Sequence, residues 1–542
     1  MGSLALPLSK MGALTLHPTT MVGFPTSTSV SLHFHPSPHP HRLKVRCQKT
    51  EADQKVVKKL PPGPMKLPII GNLHNLAGKL PHHALQELAK EYGPILHLQL
   101  GEVSTMVVSD GKMAKEVLKT HDLNFAQRPR LLAADIVLYD GKDIAFSPYG
   151  EYYKQMKKVG AEELLGPKRV QSYSSLREEE VQKLVESVRL SLGKPINFGD
   201  RICRLTNVIV FKAAFGEECK EQDTAIAVCV TATTLAGGFQ IADVFPSLTF
   251  LHDINGFKTK VKEVAKEIDR MLSDIVEEHS KKLTSREINN DGTEREDLVD
   301  VLLKLQRSGR FQCEVTTDHI KAVIFDFFIA GTETSSNTIE WAMSELMRNP
   351  RVLKKAQAEV REAFKGKKTI RDADVKDLKY LELVIKETLR LHPPLPLLLP
   401  RENKQSCAIG GYQIPAKTRM IVNAYAIGRD PKTWRDADKF IPERFLDAAV
   451  DFIGMDFEYI PFGGGRRICP GMNLGMANMQ LPLAQLLYHF DWKLPDGIAP
   501  EDLDMTETFG ATITRKNKLH VIPTRYQPLQ GNQQREAIKV VN

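Results

Sequence analysis

No two cysteines in this chain are spaced C-x-x-C, and the seven that occur (Cys47, Cys203, Cys219, Cys229, Cys313, Cys407 and Cys469) lie far apart. That spacing excludes a dense disulfide framework and a structural zinc site built on cysteine pairs. Long apolar runs are also lacking. A helix that spans a bilayer needs roughly 20 consecutive apolar residues. The N-terminal stretch 13–24 is interrupted by His17, Pro18, Thr19 and Thr20. No block of Lys and Arg sits beside aromatics, and a net charge of +8 is thin over 542 residues. This pattern argues against a nucleic-acid partner. A basic face that meets an acidic protein or an anionic membrane remains open, as does a merely solvated one.

Asp and Glu are absent from residues 1–50, which hold many Ser and Thr, five His, and the basic residues Lys10, Arg42, Lys44, Arg46 and Lys49. Such a composition fits a transit peptide, against the plainer alternative of a disordered tail. Val45-Arg46-Cys47 resembles the region where plastid transit peptides are cut, and the first acids, Glu51 and Asp53, follow at once. The expected organisation is a plastid transit peptide over 1–47 and a basic, Pro-rich lead-in over 48–64. One folded domain follows over 65–525, then a polar tail over 526–542.

The alternation Leu96-His97-Leu98-Gln99-Leu100 predicts a half-buried strand, paired with 104–109 around Gly101. Helical periods dominate afterwards, at 177–192, 258–282, 316–348, 352–364 and 376–391. Pro393-Pro394 stops the last of these. Short extended pieces recur at 419–423 and 519–523, and Asn289-Asn290-Asp291-Gly292 reads as an exposed loop. The fold class is mainly α with small β-sheets.

Chemistry concentrates in Pro461-Phe462-Gly463-Gly464-Gly465-Arg466-Arg467-Ile468-Cys469-Pro470-Gly471. Glycines let a backbone approach something flat and large. Pro470 suits the first turn of a helix. Cys469 would then sit at the helix's positive end, which favours a thiolate metal ligand tuned by backbone N–H donors. A phosphate loop fails as an alternative because no Lys-Ser/Thr follows the glycines. A plain buried cysteine is the other alternative.

A second motif, Ala330-Gly331-Thr332-Glu333-Thr334-Ser335, lies inside a long apolar helix. Ala330 and Gly331 leave room for a flat cofactor, and the Thr334 hydroxyl can reach the Ala330 carbonyl and distort the helix. Glu333 and Thr334 then form an acid–alcohol proton relay; a simple packing notch is the rival reading. Third, Glu387 and Arg390 share a helix face, as a surface pair usually does. Pro442-Glu443-Arg444-Phe445 follows, so a buried Glu387–Arg390–Arg444 cluster that scaffolds the cysteine loop is expected.

In order and spacing these motifs resemble the cytochrome P-450 superfamily over residues 60–525. The signature F-x-x-G-x-R-x-C-x-G falls on Phe462, Gly465, Arg467, Cys469 and Gly471. The resemblance implies a triangular helical prism with haem b buried between the Thr334 helix and the cysteine loop. Cys469 is then the iron ligand, Thr334 and Glu333 are catalytic, and Tyr153, Lys157, Arg401, Phe462, Arg467 and Gly471 contact the haem. It further implies monooxygenation of a small apolar substrate. Electrons come from NADPH through a cytochrome P-450 reductase or, in a plastid, a ferredoxin-type donor. The implied pocket walls are 130–138, 327–329, 395–399 and 509–512, with Ile329, Ala330, Leu395, Leu397, Leu398 and Phe509 facing substrate.

Phe125-Ala126-Gln127-Arg128-Pro129-Arg130 and Glu163-Leu164-Leu165 resemble the plant clan of specialised-metabolism oxidases, and terpenoid oxidases of casbene-type diterpenes among them. A sesquiterpene, monoterpene or fatty-acid oxidase, a reductase-independent isomerase or dehydratase, and an inactive haem sensor are the alternatives. Two features depart from the family. Its W-R-x-x-R/K stretch reads Tyr153-Lys154-Gln155-Met156-Lys157, and the usual N-terminal membrane helix is replaced by the transit-like segment, which sets plastid against endoplasmic reticulum. The stretch 239–250, with Ile241, Val244, Phe245, Leu248 and Phe250, falls where the family's membrane-dipping loop lies. It is expected either to rest on a membrane or to pack over the substrate channel.

Overall fold

The computed structural model describes residues 60–526, apart from 217–221, 236–238, 255, 290–295, 368, 447–449, 496, 509 and 511. The transit-like segment, the Asn290-containing loop, Phe509 and the tail after 526 therefore lie outside the described residues. Helices dominate, with small sheets at the edges, as the sequence predicts. Among the described residues, no helix is long and apolar enough to cross a membrane.

Helix α1 (Pro81–Tyr92) leads into the hairpin β1 (Ile95–Leu100) and β2 (Val103–Val108), in register from Ile95↔Val108 to Leu100↔Val103. Gly101 turns between them at φ +59°, where a Cβ would stand 2.4 Å from the Val244 carbonyl oxygen. The predicted half-buried strand is buried on both faces instead. His97 is 5% exposed and hydrogen-bonded to Ser104 at 2.9 Å. The cover is the Pro-rich lead-in, which docks on β1 through the His97 N–H and the Pro62 carbonyl (2.9 Å). Burial, with Lys66 nearby, pushes His97 down to about 4, so it is neutral.

Helices α2 (Glu151–Val159), α3 (Phe198–Phe215) and α4 (Thr317–Arg348) follow. Thr316 and His319 form a reciprocal cap that starts α4. Its second half, from Ser335 to Met347, is buried all round, as a central helix must be, with Asn337, Glu340 and Glu345 buried among the apolar residues. The helix expected at 352 begins at Pro350, a residue suited to a first helical position. Helix α5 (Lys379–Leu391) ends before Pro393 as expected. Strand β3 (Arg401–Glu402) pairs antiparallel with β4 (Arg419–Val422), which runs parallel to β2. Helix α6 (Met472–His489) carries Pro482 in its interior and packs on α4. A short hairpin, β5 (Glu507–Thr508) with β6 (Thr514–Arg515), comes late.

The stretch 239–250 divides. Val244 is 2% exposed and packs with Leu96, Leu98 and Leu100, and Phe245 packs on the same cluster. Only Ile241 and Phe250, at 41% and 77%, face solvent among the five apolar residues expected there. The Gly101 turn leaves a hollow that this segment fills, which is why Val244 and Phe245 are lost to any outer patch.

Candidate active site

Cys469 closes a tight loop: its N–H donates to the Phe462 carbonyl at 3.0 Å. Gly463 and Gly465 sit at φ +73° and +68°, and a Cβ on Gly465 would meet the Leu118 carbonyl oxygen at 2.1 Å. Gly465 is therefore glycine because protein backbone presses on it, rather than because a flat cofactor does. Two local expectations are corrected. Helix α6 starts at Met472 behind Gly471, so Pro470 stands in the preceding turn rather than in the first helical turn. Burial pushes the Cys469 thiol up to about 11, although the Gly471 N–H pulls the other way. Desolvation therefore disfavours the free thiolate, and a cation bound to the sulfur would favour it.

Across the cavity from this loop runs α4. Thr334 Oγ1 donates to the Ala330 carbonyl at 2.6 Å, as its spacing predicts. The helix nevertheless continues unbroken from Thr317 to Arg348, so this bond does not interrupt it. Ala330 and Gly331 border the same cavity as Cys469 and Thr334. The missing side chain of Gly331 answers to α3, because a Cβ there would lie 3.2 Å from Val210. Burial raises Glu333, while Thr512 and Thr233 pull it down. Among the described residues its Oε2 is buried without a hydrogen-bond partner, and Glu333 borders the adjoining cavity that also reaches Thr334.

Three guanidiniums gather at one side. Arg467 donates to the carbonyls of Ala126 (2.9 Å), Ile144 (3.2 Å) and Ser147 (2.5 Å). Arg401 donates to Gly464 (2.7 Å), and Arg128 to Ala145, Leu399 and Pro400. Burial, then mutual repulsion, pulls Arg128 well below its ordinary range, and burial pulls Arg401 down to about 10. Tyr153 Oη donates to the Arg466 carbonyl at 2.6 Å while its ring faces the Arg467 guanidinium at 3.7 Å. Lys157 reaches the same carbonyl. All of these residues line the cavity that contains Cys469, about 250 Å³ in volume, with Phe462 and Gly471.

The donor set fits haem. One buried thiol offers an axial sulfur, apolar walls accept a macrocycle, and crowded cations call for the two propionate anions. Arg128 was not singled out in the sequence as a cavity residue, nor was the Asp143–Asp326 pair. Asp326 borders the cavity and accepts from the Ile144 and Ala145 N–H groups. Burial raises both acids; for Asp143 the facing Asp326 carboxyl adds to it, while for Asp326 the Ala145 and Ile144 N–H groups and Arg128 pull the other way. An Asp between Phe325 and Phe327 mid-helix was the available signal.

The scaffold cluster is buried. Arg390 clasps Glu387 at 2.7 and 2.8 Å, and Arg444 Nε reaches Glu387 Oε1 at 2.9 Å. Arg390 also donates to the carbonyls of Gly428, Ala437 and Lys439. Tyr459, at the start of the cysteine loop, donates to the Lys386 carbonyl at 2.7 Å and so ties loop to helix.

A second cavity, also about 250 Å³, shares Ala330, Thr334, Leu395 and Leu398 with the first. Ile329, Leu397, Ala134, Val137 and Ile513 add apolar walls, while Glu333 and Thr512 add polar ones.

The family model for cytochrome P450 matches residues 61–521. Premnaspirodiene oxygenase of Hyoscyamus muticus is 56% identical over 471 residues, 87% of this chain and 94% of that protein. Desmethyl-deoxy-podophyllotoxin synthase of Sinopodophyllum hexandrum is 54% identical over 487 residues, 90% of this chain and 96% of that protein. A zebra fish cytochrome P450 structure with progesterone superposes with a TM-score of 0.71 at 27% identity, covering 82% of this chain and 99% of that one.

Proposed function

The chain belongs to the cytochrome P450 family, and we propose that it inserts one oxygen atom from O2 into a terpenoid in plant specialised metabolism. As a P450 monooxygenase it works with haem b and with electrons from a redox partner. The observation that carries the reading is the single cavity shared by the Cys469 thiol, the Thr334 hydroxyl and the guanidinium cluster. Bound haem supplies the oxygen-activating chemistry. The protein's part is positional and protic. Cys469 holds the iron. Arg128, Arg401, Arg467, Tyr153 and Lys157 hold the propionates, and Phe462 and Gly471 flank the sulfur.

Thr334 and Glu333 move the protons that oxygen reduction consumes. The Thr334 hydroxyl donates to Ala330, so its oxygen can accept from the cavity, and on turning from that carbonyl it can pass its proton on and be resupplied through the buried Glu333 carboxyl. Thr334→Ala should keep haem loading but divert electrons to peroxide, with product per NADPH falling on the order of tenfold or more, in the range of a lost proton-transfer group. Simultaneous NADPH, peroxide and product measurements check this; a fully coupled variant contradicts the relay.

Apolar walls favour a hydrocarbon-like substrate. A diterpene such as casbene is the first candidate. The relative named for premnaspirodiene supports a sesquiterpene as the alternative, while a relative at 54% against 56% identity is named for desmethyl-deoxy-podophyllotoxin. Monoterpenes and fatty acids complete the test set. The reductase-coupled enzyme should oxidise at least one terpene and leave fatty acids untouched. Product that forms without reductase would instead favour an isomerase or dehydratase.

The domain that does this is residues 65–525, and residues 1–47 address it to plastids, where a ferredoxin-type donor is available. A fluorescent protein fused behind residues 1–47 should label plastids. Labelling of the endoplasmic reticulum would favour that membrane and its cytochrome P-450 reductase.

A further inference from the structure

Far along the chain from the cysteine loop, two neighbouring histidines of α1 converge on one acid of the late hairpin. His82 Nε2 lies 2.8 Å from Glu507 Oε2, and His83 Nε2 lies 3.1 Å from the same oxygen. The three candidate donor atoms all lie within 4.8 Å of one another. His82 is fully buried and makes a normal hydrogen bond to Glu507. His83 is different. Its Nε2 is buried and 3.1 Å from the carboxylate oxygen, yet it lacks the alignment of a hydrogen bond and has no other partner among the described residues. Both Nε2 atoms crowd one carboxylate oxygen, and a metal bound among them would take the place of the His82 Nε2 hydrogen.

We propose that His82, His83 and Glu507 bind a divalent first-row transition metal, zinc in the first instance. Bonds of about 2.0–2.2 Å in a tetrahedral site space the ligand atoms about 3.3 Å apart. The two Nε2 atoms, now 2.8 and 3.1 Å from the carboxylate oxygen, would each move away from it by a few tenths of an ångström. Two imidazoles and one carboxylate select zinc and its neighbours over magnesium and calcium, which prefer all-oxygen sets. The Tyr425 ring packs against both imidazoles, at 4.7 and 4.8 Å, and holds their orientation. The side chain of His83 is 39% exposed, which gives the ion an entrance and leaves the fourth position to water.

The site has a consequence for the substrate cavity. Glu507 opens the β5–β6 hairpin, whose connecting loop carries Gly510, Thr512 and Ile513 into the cavity wall. A metal would pin that loop to α1, so zinc should stiffen one wall of the substrate site without touching the haem.

The test is a zinc titration of the full-length holoenzyme, first stripped with a chelator, against a chromophoric zinc indicator. One equivalent should bind, and Tm should rise with zinc concentration. His83→Ala and Glu507→Gln should each weaken that equivalent at least about 100-fold, beyond what losing a group behind a ligand costs. Both variants should keep the wild-type haem spectrum, which separates this result from misfolding and from any failure of the oxidase reading. Absence of the bound equivalent overturns the site, as does unchanged affinity in either variant.

Discussion

Replacing Cys469 with alanine abolishes the reduced, carbon-monoxide-bound absorption band characteristic of thiolate-ligated haem, and monooxygenase turnover disappears with it. The expectation rests on position rather than on the loop's sequence alone. The sulfur lies in the cavity that the guanidinium cluster and Thr334 border. The other described cysteines, Cys203, Cys313 and Cys407, do not line it. Burial pushes the free thiol up to about 11, which favours the protonated form, and iron bound there would displace the proton. Removing one sulfur atom disturbs packing modestly, about 1 kcal/mol, the usual scale of a single substitution. The variant should therefore stay folded by circular dichroism while the band is gone. Persistence of the band would reassign the axial ligand.

Glu387→Ala should yield poorly folded, haem-free protein. The substitution leaves Arg390 buried and Arg444 nearly so, with only carbonyls to face. Removing one partner of a buried ion pair costs roughly 3–5 kcal/mol, against roughly 5–15 kcal/mol that holds a typical native state together. Arg444→Ala should be milder, because Glu387 keeps its two bonds to Arg390 and the Ile441 N–H. Thermal unfolding and haem content measure both effects. Full haem loading and a wild-type Tm in Glu387→Ala would show that the cluster does not scaffold the cysteine loop.

What the sequence made legible was local. The cysteine loop, the Thr334–Ala330 bond and the Glu387–Arg390 pair each lie within a dozen residues, so spacing encodes them directly. What it hid was held together across long separations. Arg128 meets carbonyls 271 and 272 residues away, and Asp326 caps N–H groups 181 and 182 residues away. His82 and Glu507 stand 425 residues apart. The burial of His97 depends on a lead-in that reads as a spacer yet docks on the strand. The small residue at Gly331 serves a crossing with Val210, which no reading of α4 by itself reveals. Strand and helix existence followed from periodicity; which face is covered followed from neighbours distant in sequence.

The most direct test of the account is the reductase-coupled reaction with the terpene set under isotopically heavy O2, with products read by mass spectrometry. The account predicts a terpene product that carries one heavy oxygen atom, formed only with NADPH and reductase and absent with Cys469→Ala. A product that lacks the heavy atom, or one formed equally well without reductase, would contradict it.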